Sequence, residues 1–418
     1  MDADLVVQVA GLKAATSMGY TALNVTTVDG DAVWPNQADW MPSSPGFEFN
    51  NAVLGASGFF AAVPGYPSKA TGTVDLYLGQ NSSTSSKCKS SSCADSPVGY
   101  DKVQLSVDKT DYFYHKSVLI DCDSDGLLDV MAARVNVPTD GSPATSELVC
   151  MLQPSSAAAG AAVEGAWPEA VLYTNGPDVS FALVDLDGDG ASQVVASEYF
   201  VNQRLALYSC DSSGNHWVAC AGGANVTTVV IDDSEGGMFN VAWVDLNGDG
   251  VRDLLATSQG DHGSGRVLAY LQPSPTTKGA WRTEAWPKYV LADGYQPTMA
   301  FIPGRGSPGT ATPFAPPATP SAAANGDTAA AVRPWIAVSA DDGGWVDVLV
   351  PPSADNTDPD QAWVYAKSRV LNSTGTVGTV ACGDVDGDGV DELFVPLYTE
   401  GRLAMYKLEG YNNASVVG

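Results

Sequence analysis

Four short acidic segments are the part of this 418-residue chain with the clearest capacity for chemistry. They begin at Asp121, Asp185, Asp245 and Asp384, and each has an acidic or amide side chain at every second position and a glycine at the sixth. Alternate carboxylates in such a loop converge on one point, and the seventh residue can add a carbonyl oxygen. Hard cations select this oxygen-only set of ligands, and the flexible geometry favours Ca²⁺ over Mg²⁺. The sequence therefore predicts up to four calcium ions.

Each loop is expected to bind through the side chains at positions one, three, five and nine and through the carbonyl at position seven. The expected ligands in the four loops are Asp121, Asp123, Asp125, Leu127 and Asp129; Asp185, Asp187, Asp189, Ala191 and Gln193; Asp245, Asn247, Asp249, Val251 and Asp253; and Asp384, Asp386, Asp388, Val390 and Glu392. Because Gln193 replaces a carboxylate with a neutral oxygen, the second site is expected to be the weakest. Glu392 is longer than Asp and is expected to bind with an altered geometry or through a water.

Two other interpretations of the loops were weighed. An EF-hand begins in the same way but requires Glu at its twelfth position. The chain has Ala132, Ala196, Ala256 and Val395 there, so EF-hands are excluded. Plain Asp/Gly-rich turns are the other possibility, and the oxygen-bearing side chain that recurs at position nine argues against them.

The loops are spaced as parts of a longer repeat. The first three begin at nearly equal intervals, and the gap from Asp245 to Asp384 is about two periods, so one unit lacks its loop. Residues 325–327 and the segment after them continue the pattern of that unit. Two further units are counted toward the N-terminus, one around Ser57 and one at Asp4–Val7. The repeat therefore has seven units.

Each unit contains four short apolar segments bounded by turn residues. In the third copy these are Phe239–Asp245, Asp253–Ser258, Arg266–Gln272 and Trp286–Ala292. Runs this short and this rich in Val, Leu and aromatic residues are typical of strands. The sequence predicts an all-β, seven-bladed β-propeller of four-stranded antiparallel blades, in which pairing of N- and C-terminal strands closes the ring. A solenoid is the alternative. The propeller is expected to form a single domain over 1–418, with a Pro/Ala/Gly-rich insertion at 303–327 that forms a mobile loop or a glycosylated stalk.

The inner strand, the acidic loop and the following Asp-Leu-Leu resemble the FG-GAP or VCBS repeats of integrin α-subunit propellers and of fungal and bacterial seven-bladed propellers. Phe59–Gly79 is similar to the Gly-Ala-Pro part of the same repeat, and the resemblance spans nearly the whole chain. It implies a propeller with bound calcium. Members of that family include adhesion receptors, a fungal sugar-binding lectin, and propeller domains attached to lyases and dehydratases. The sequence has no segment like a von Willebrand-type insert or a cupin.

Charge and cysteine content limit the class of partner. The net charge of −28 and the pI near 4.1 argue against nucleic acid and against an anionic bilayer, and no apolar run is long enough for membrane insertion. Cys88 with Cys93 and Cys210 with Cys220 are spaced for local disulfides, whereas the pairing of Cys122, Cys150 and Cys382 stays open. Five glycosylation sequons, at Asn24, Asn81, Asn225, Asn372 and Asn413, add mild support for a secreted or cell-surface location.

Residues that could support catalysis or sugar binding are few. His115, His216 and His262 lie in no zinc-ligand spacing, and no nucleophile or nucleotide-binding motif occurs. Trp167, Trp286 and Trp363 recur before the outer strand, which indicates packing between blades. Trp34 and Trp40 do not follow that phase and are better candidates for an exposed contact.

The function expected from these features is a non-enzymatic, extracellular calcium-binding module that recognises a glycan or an extracellular protein. In this interpretation the calcium ions have a structural role. The alternative is a propeller-based carbohydrate-active enzyme of lyase or dehydratase type. That enzyme would need a cleft with uncommitted carboxylates, Arg or Tyr near a metal.

Overall fold

The chain folds as an all-β propeller whose blades are antiparallel sheets. The structure is a computed structural model, and it describes residues 6–10, 24–29, 35–41, 45–47, 49, 52–60, 69–79, 99–138, 140–155, 165–212, 216–260, 265–296, 306–315, 333–352, 362–385 and 390–407. Trp34, Cys88, Cys93, Asn81, His262, Asp386, Asp388 and Asn413 lie outside these ranges, as do both chain ends.

Twenty-seven strands are assigned within the described residues. Five four-stranded sheets are built, in chain order, from β3 (Pro35–Met41), β4 (Ala52–Ser57), β7 (Val74–Gly79) and β8 (Tyr100–Gln104); β9 (Phe113–Ile120), β10 (Asp129–Asn136), β11 (Thr145–Met151) and β12 (Glu169–Thr174); β13 (Ser180–Val184), β14 (Gln193–Glu198), β15 (Arg204–Cys210) and β16 (Val226–Asp232); β17 (Met238–Val244), β18 (Asp253–Ser258), β19 (Gly265–Tyr270) and β20 (Lys288–Tyr295); and β21 (Ala311–Phe314), β22 (Trp335–Ser339), β23 (Trp345–Val350) and β24 (Ala366–Asn372). A three-stranded sheet contains β25 (Ala381–Gly383), β26 (Glu392–Leu397) and β27 (Arg402–Lys407). Two hairpins complete the set, β1 (Val6–Ala10) with β2 (Asn24–Asp29), and β5 (Phe59–Phe60) with β6 (Lys69–Ala70).

The described residues form six blades, so the predicted number of seven is wrong. The sequence period counted the N-terminal segment as a unit, but within the described residues that segment forms only the two-stranded hairpin β1–β2. The strand pairing predicted to close the ring involves 412–418, which lies outside the described residues. Ser57 also ends strand β4 rather than lying in a loop, so counting back by one period misplaced the turn of the first blade.

Contacts divide the chain into two compact units. The first comprises residues 1–180, 200–202 and 209–227, and the second comprises 181–199, 203–208 and 228–418. The boundary runs through the sheet formed by β13 to β16. The expected single domain over 1–418 stays a prediction.

The central strands are buried on both faces. In β18 all six residues are buried, and neighbouring side chains belong to different clusters. Leu254 packs with Val195 and Leu205 of one adjoining sheet, whereas Leu255 packs with Ile336 and Val338 of the other. Successive side chains of a strand point to opposite faces, so the middle of a strand between two packed sheets is apolar at consecutive positions, whereas the ends of β18 carry the buried polar residues Asp253, Thr257 and Ser258. This explains why these segments are continuous apolar runs.

The tryptophans that recur before the outer strands are packing residues, as predicted. Trp167 is 1% exposed and Trp286 is 7% exposed, and each belongs to a core cluster. Trp363 stacks on Tyr289 with ring centroids 4.6 Å apart. Trp40, by contrast, is 45% exposed, which confirms that it lies at the surface.

The Pro-rich segment does not behave as a loop throughout. Its residues 306–309 are buried, and β21 (Ala311–Phe314) pairs antiparallel with β22. The prediction of a mobile loop is therefore wrong for 306–315. Small residues pack closely here, since a Cβ on Gly309 would lie 2.7 Å from the Ser339 Oγ. Pro313 is accommodated because β21 is an edge strand of its sheet.

The disulfides are partly as predicted. Cys210 pairs with Cys220, which confirms the local bridge. Cys122 pairs with Cys150, a pair that the sequence left open among the three remaining cysteines. Cys382 is free, and burial raises the pKa of its thiol to about 12.

Candidate metal centre

The four acidic loops occupy one equivalent place in their sheets. They connect β9 to β10, β13 to β14, β17 to β18 and β25 to β26, the first two strands of each sheet. The second strand of each of these sheets begins at the ninth loop position. These residues are Asp129, Gln193, Asp253 and Glu392. The sheet therefore fixes both ends of each loop.

The first aspartate organises the turn in the first three loops. Asp121 accepts hydrogen bonds from the backbone N–H groups of Ser124 at 2.7 Å and Gly126 at 3.0 Å. Asp245 does the same with Gly248 at 2.7 Å and Gly250 at 2.9 Å. Because one carboxylate receives two backbone donors, the loop is held in a compact turn around it.

Glycine at the sixth position is required by backbone conformation. Gly126, Gly190 and Gly250 have φ values of 88°, 84° and 86°. These values lie in the left-handed region, which residues with a Cβ rarely adopt. No atom lies within 4 Å of a Cβ built at these three positions, so conformation rather than space excludes larger residues.

The ninth side chain closes the loop onto its second residue. Its oxygen accepts the backbone N–H of that residue in all four loops: Cys122 to Asp129 at 2.8 Å, Leu186 to Gln193 at 3.0 Å, Leu246 to Asp253 at 3.3 Å, and Val385 to Glu392 at 3.0 Å. Sequence reasoning assigned this position only to metal binding and missed the closing bond. The sequence did contain a signal for this bond. Asp, Glu and Gln all offer an acceptor oxygen at position nine although Gln is neutral, so the feature they share is hydrogen bonding and not charge.

The two buried aspartates at position nine each receive a second backbone donor. The N–H of Gln153 lies 2.7 Å from Asp129, and that of Gln272 lies 3.2 Å from Asp253. Burial, together with the other loop carboxylates, raises the pKa of both carboxyls to about 6, although these hydrogen bonds act to lower it. A carboxylate that is this costly to ionise among other acids is stabilised by a nearby cation.

The first loop brings its expected ligands together. Oxygen atoms of Asp121, Asp123 and Asp129 lie within 4.8 Å of one another. Within the described ranges, the other group of potential ligands this close is Asp129 with Cys122 and Cys150, whose sulfurs are joined in a disulfide. Three convergent carboxylate oxygens are a donor set that suits a hard divalent cation. The residues present therefore fit calcium at this loop.

The third loop has the same turn with an amide in place of one acid. Asn247 accepts the N–H of Asp249 at 2.9 Å, and its amide nitrogen donates to the Asp249 carboxylate at 2.8 Å. The ligands at positions three and five are thus adjacent. Asp253 is 2% exposed and closes the loop. The third loop keeps the oxygen donor types of a cation site, but among the described residues only the first loop has three acids whose oxygens lie within 4.8 Å of one another.

The second loop differs from the first and third. A lysine and a backbone amide from the connection between β19 and β20 contact its acids: Lys278 Nζ lies 2.7 Å from Asp189, and the Gly279 N–H lies 2.8 Å from Asp187. The hydrogen bond from Lys278 lowers the pKa of Asp189. In addition, the Gln193 amide donates to the Ala191 carbonyl at 2.7 Å, which is the expected ligand at position seven.

The fourth loop is described in part. Asp386 and Asp388 lie outside the described residues, whereas Asp384, Val390 and Glu392 lie within them. Glu392 is fully buried, and Lys407 Nζ lies 3.3 Å from its carboxylate. The closing bond to Val385 shows that the fourth loop shares its second-to-ninth connection with the others.

The two histidines within the described residues have packing and capping roles. Burial lowers the pKa of His115 to about 4, and its ring packs edge-on against Phe113. His216 caps a short 3₁₀ segment by accepting the N–H of Ala219. His262 lies outside the described residues.

A search of protein-family models and of curated proteins found no match to this chain. The resemblance to FG-GAP and VCBS repeats therefore stays an expectation from the sequence. The fold and the geometry of the loops carry the functional argument on their own.

Proposed function

We propose that this protein is a calcium-binding β-propeller in which the ions hold the acidic loops in a fixed shape. The observation that carries the proposal is the convergence of Asp121, Asp123 and Asp129 within one glycine-containing turn. The third loop supports it through the same turn and the same closing bond. A bound calcium ion would supply positive charge to these carboxylates.

The chemistry of the ligands favours calcium over other cations. The side chains that converge carry only oxygen, which disfavours zinc and other softer metals. A loop with four possible side-chain ligands and one carbonyl also suits the larger coordination number of Ca²⁺ better than the strict octahedron of Mg²⁺. We propose calcium in the first and third loops and, on its matching sequence, in the fourth.

The role that fits this scaffold best is non-enzymatic recognition of a glycan or an extracellular protein. Two disulfides occur among the described residues, and such bonds persist in oxidising compartments. No helix in the described part of the chain has the length and apolar character of a membrane span. Trp40, 45% exposed on β3, offers an aromatic face of the kind on which sugars and protein side chains pack.

A cluster of charged residues around the buried Arg134 supports a structural role over a catalytic one. Arg134 is 1% exposed and donates to Glu147, Glu169 and the hydroxyl of Tyr114 at 2.7 to 3.0 Å. Lys109 also pairs with Glu147. The charges of these side chains are paired with one another and not directed into a cleft. This arrangement is typical of a structural ion-pair cluster.

Thermal unfolding with calcium and with EDTA tests the calcium proposal. We expect calcium to raise the melting temperature of the wild type and to have a smaller effect on the double variant Asp121→Asn, Asp123→Asn. Asp140→Asn, which changes an exposed aspartate outside the loops, is the control. Equal calcium effects on all three proteins would contradict the proposal.

A glycan array probed with and without chelator tests the recognition role. Retention that depends on calcium, with no product formed, would support a binding module, and loss of retention in Trp40→Ala would locate the contact. Release of unsaturated sugar would instead support the lyase alternative.

A further inference from the structure

Lys278 forms an ion pair with Asp189, an expected metal ligand of the second acidic loop. We infer that this loop is held by Lys278 and Gly279 and does not bind calcium under conditions in which the first and third loops do. The inference rests on the proposed function, because it divides the loops into calcium-dependent and calcium-independent ones.

The contacts of the second loop supply its acids with donors from outside the loop. Lys278 Nζ lies 2.7 Å from Asp189 Oδ2, and the Gly279 N–H lies 2.8 Å from Asp187 Oδ1. The first loop does not share this arrangement. There, Asp123 and Asp125 accept only from backbone N–H groups of their own loop, at 3.1 and 2.8 Å, among the contacts described. The acids of the second loop at positions three and five therefore already have cationic or polar partners.

The expected carbonyl ligand of this loop is also engaged. Gln193 accepts the Leu186 N–H through its Oε1 and donates through its Nε2 to the Ala191 carbonyl. These two bonds fix the orientation of the amide, because rotating it by half a turn would face donor to donor and acceptor to acceptor. The amide nitrogen thus lies at the carbonyl that a calcium ion would need. Asp187, Asp189 and the Ala191 carbonyl therefore have other partners, and Gln193 lacks a charge.

The neighbouring connections show that the lysine belongs to this loop alone. The connection between the third and outer strands of the next sheet approaches the first and second loops at their second residue, and in the second loop Gln272 donates to the Leu186 carbonyl at 3.1 Å. The third loop is contacted at this position by Arg333, which precedes strand β22. Val218 donates to the Cys122 carbonyl at 3.0 Å, and Arg333 bridges the carbonyls of Leu246 and Ala362. The corresponding segments of the sequence, residues 211–224 and 351–365, contain no Lys or Arg. The loop that lacks an acid at position nine is the one that faces a lysine.

Hydrogen exchange of the loop amides tests the inference directly. In EDTA, we expect residues 186–191 to be protected in the wild type, and to exchange at least several-fold faster in Lys278→Gln. Calcium is expected to slow exchange in residues 122–127 and 246–251 and to leave 186–191 unchanged. Lys116→Gln is the control, since Lys116 forms a surface ion pair with Asp39 away from the loops.

A second variant tests whether the lysine is what excludes the ion. Combining Lys278→Gln with Gln193→Asp should restore a full set of acids and make the exchange of 186–191 depend on calcium. Slower exchange of 186–191 on adding calcium to the wild type would overturn the inference, as would unchanged exchange in Lys278→Gln in EDTA.

Calcium stoichiometry separates this inference from the proposed function. Asp185→Asn with Asp187→Asn should bind as many ions as the wild type, whereas Asp121→Asn with Asp123→Asn should bind one fewer. If the Asp185 pair of changes removes an ion, the inference fails and the proposed function stands. If the wild type binds no calcium, the proposed function fails, and the effect of Lys278→Gln in EDTA alone decides the inference.

Discussion

At the scale of single residues, the side chain at the ninth loop position has two roles, as an expected metal ligand and as the acceptor that closes the loop. Asp129 and Asp253 offer carboxylate oxygens toward the loop, and both close the turn by accepting buried backbone N–H groups. Gln193 keeps the closing bond but not the charge. The sequence revealed the ligand pattern because the residue types recur. It did not reveal the closing bond, because the donor is a backbone N–H group, which any residue type at the second position can supply.

Replacing Asp253 tests the closing role in the absence of metal. Asp253→Ala leaves two buried N–H groups, those of Leu246 and Gln272, without acceptors, and each unsatisfied donor costs about 1 to 3 kcal/mol. We expect the free energy of unfolding in EDTA to fall by about 3 kcal/mol. Asp253→Asn keeps one acceptor oxygen and should lose clearly less. Equal losses in denaturant titrations of the two variants would contradict this role.

Asp232 predicts a specific loss of stability in acid. Its burial opposes ionisation, but Lys288 at 2.7 Å and hydrogen bonds from Ser234 and Tyr270 outweigh that cost and lower the pKa to about 2. Since this folded-state pKa lies below the ordinary aspartate value of 3.8, the stabilisation is full above pH 4 and is lost as the pH falls toward 2. The loss amounts to about 2 kcal/mol.

The comparison with Asp232→Asn isolates that contribution. The variant should be less stable than the wild type at pH 6, and the difference should shrink as denaturant titrations move from pH 4 to pH 2. A difference that stays constant over this range would show that Asp232 does not titrate as described.

At the scale of elements, short strands were predictable and long-range partners were not. The segment Asp253–Ser258 is strand β18 with the same bounds, and Phe239–Asp245 differs from β17 by one residue at each end. Apolar runs bounded by turn residues determine such strands locally. Lys278, the Cys122–Cys150 bridge and strand β21 depend on residues that the fold brings from far along the chain, and no local pattern encodes them.

Packing between sheets predicts a large cost for a central substitution. Leu255 in β18 is fully buried, and Leu255→Ala removes its contacts with Ile336 and Val338 and leaves a cavity. We expect a loss of about 3 kcal/mol in the free energy of unfolding. Val230→Ala is the matched control, because Val230 lies on an outer strand and is 45% exposed. A Leu255→Ala loss as small as that of the control would show that the two sheets are not packed as described.

At the scale of the whole molecule, the repeat predicted the fold class but overcounted its blades. A sequence period counts segments, whereas a blade requires that a segment pair into a sheet. The N-terminal segment yields only β1 and β2 among the described residues. The missing acidic loop has a structural counterpart, because β21 and β22 flank residues 316–332 where the other sheets carry their acids. Only the part of the 303–327 insertion that follows Phe314 therefore falls between the first two strands of its blade in chain order.

Calcium should stabilise the molecule through the acidic loops, each of which connects the first two strands of a sheet. Ligand that binds only the folded state adds about 2.7 kcal/mol at a hundredfold excess over its dissociation constant. The stabilisation should therefore rise with calcium concentration and fall in variants of the first or third loop.

Direct counting of bound calcium tests the central claim. Equilibrium dialysis of EDTA-stripped protein against calcium should show one fewer ion in Asp121→Asn, Asp123→Asn than in the wild type. The pair Asp245→Asn, Asp249→Asn should also bind one fewer. Wild-type protein that binds no calcium at millimolar concentration, or variants that bind as many ions as the wild type, would contradict the account.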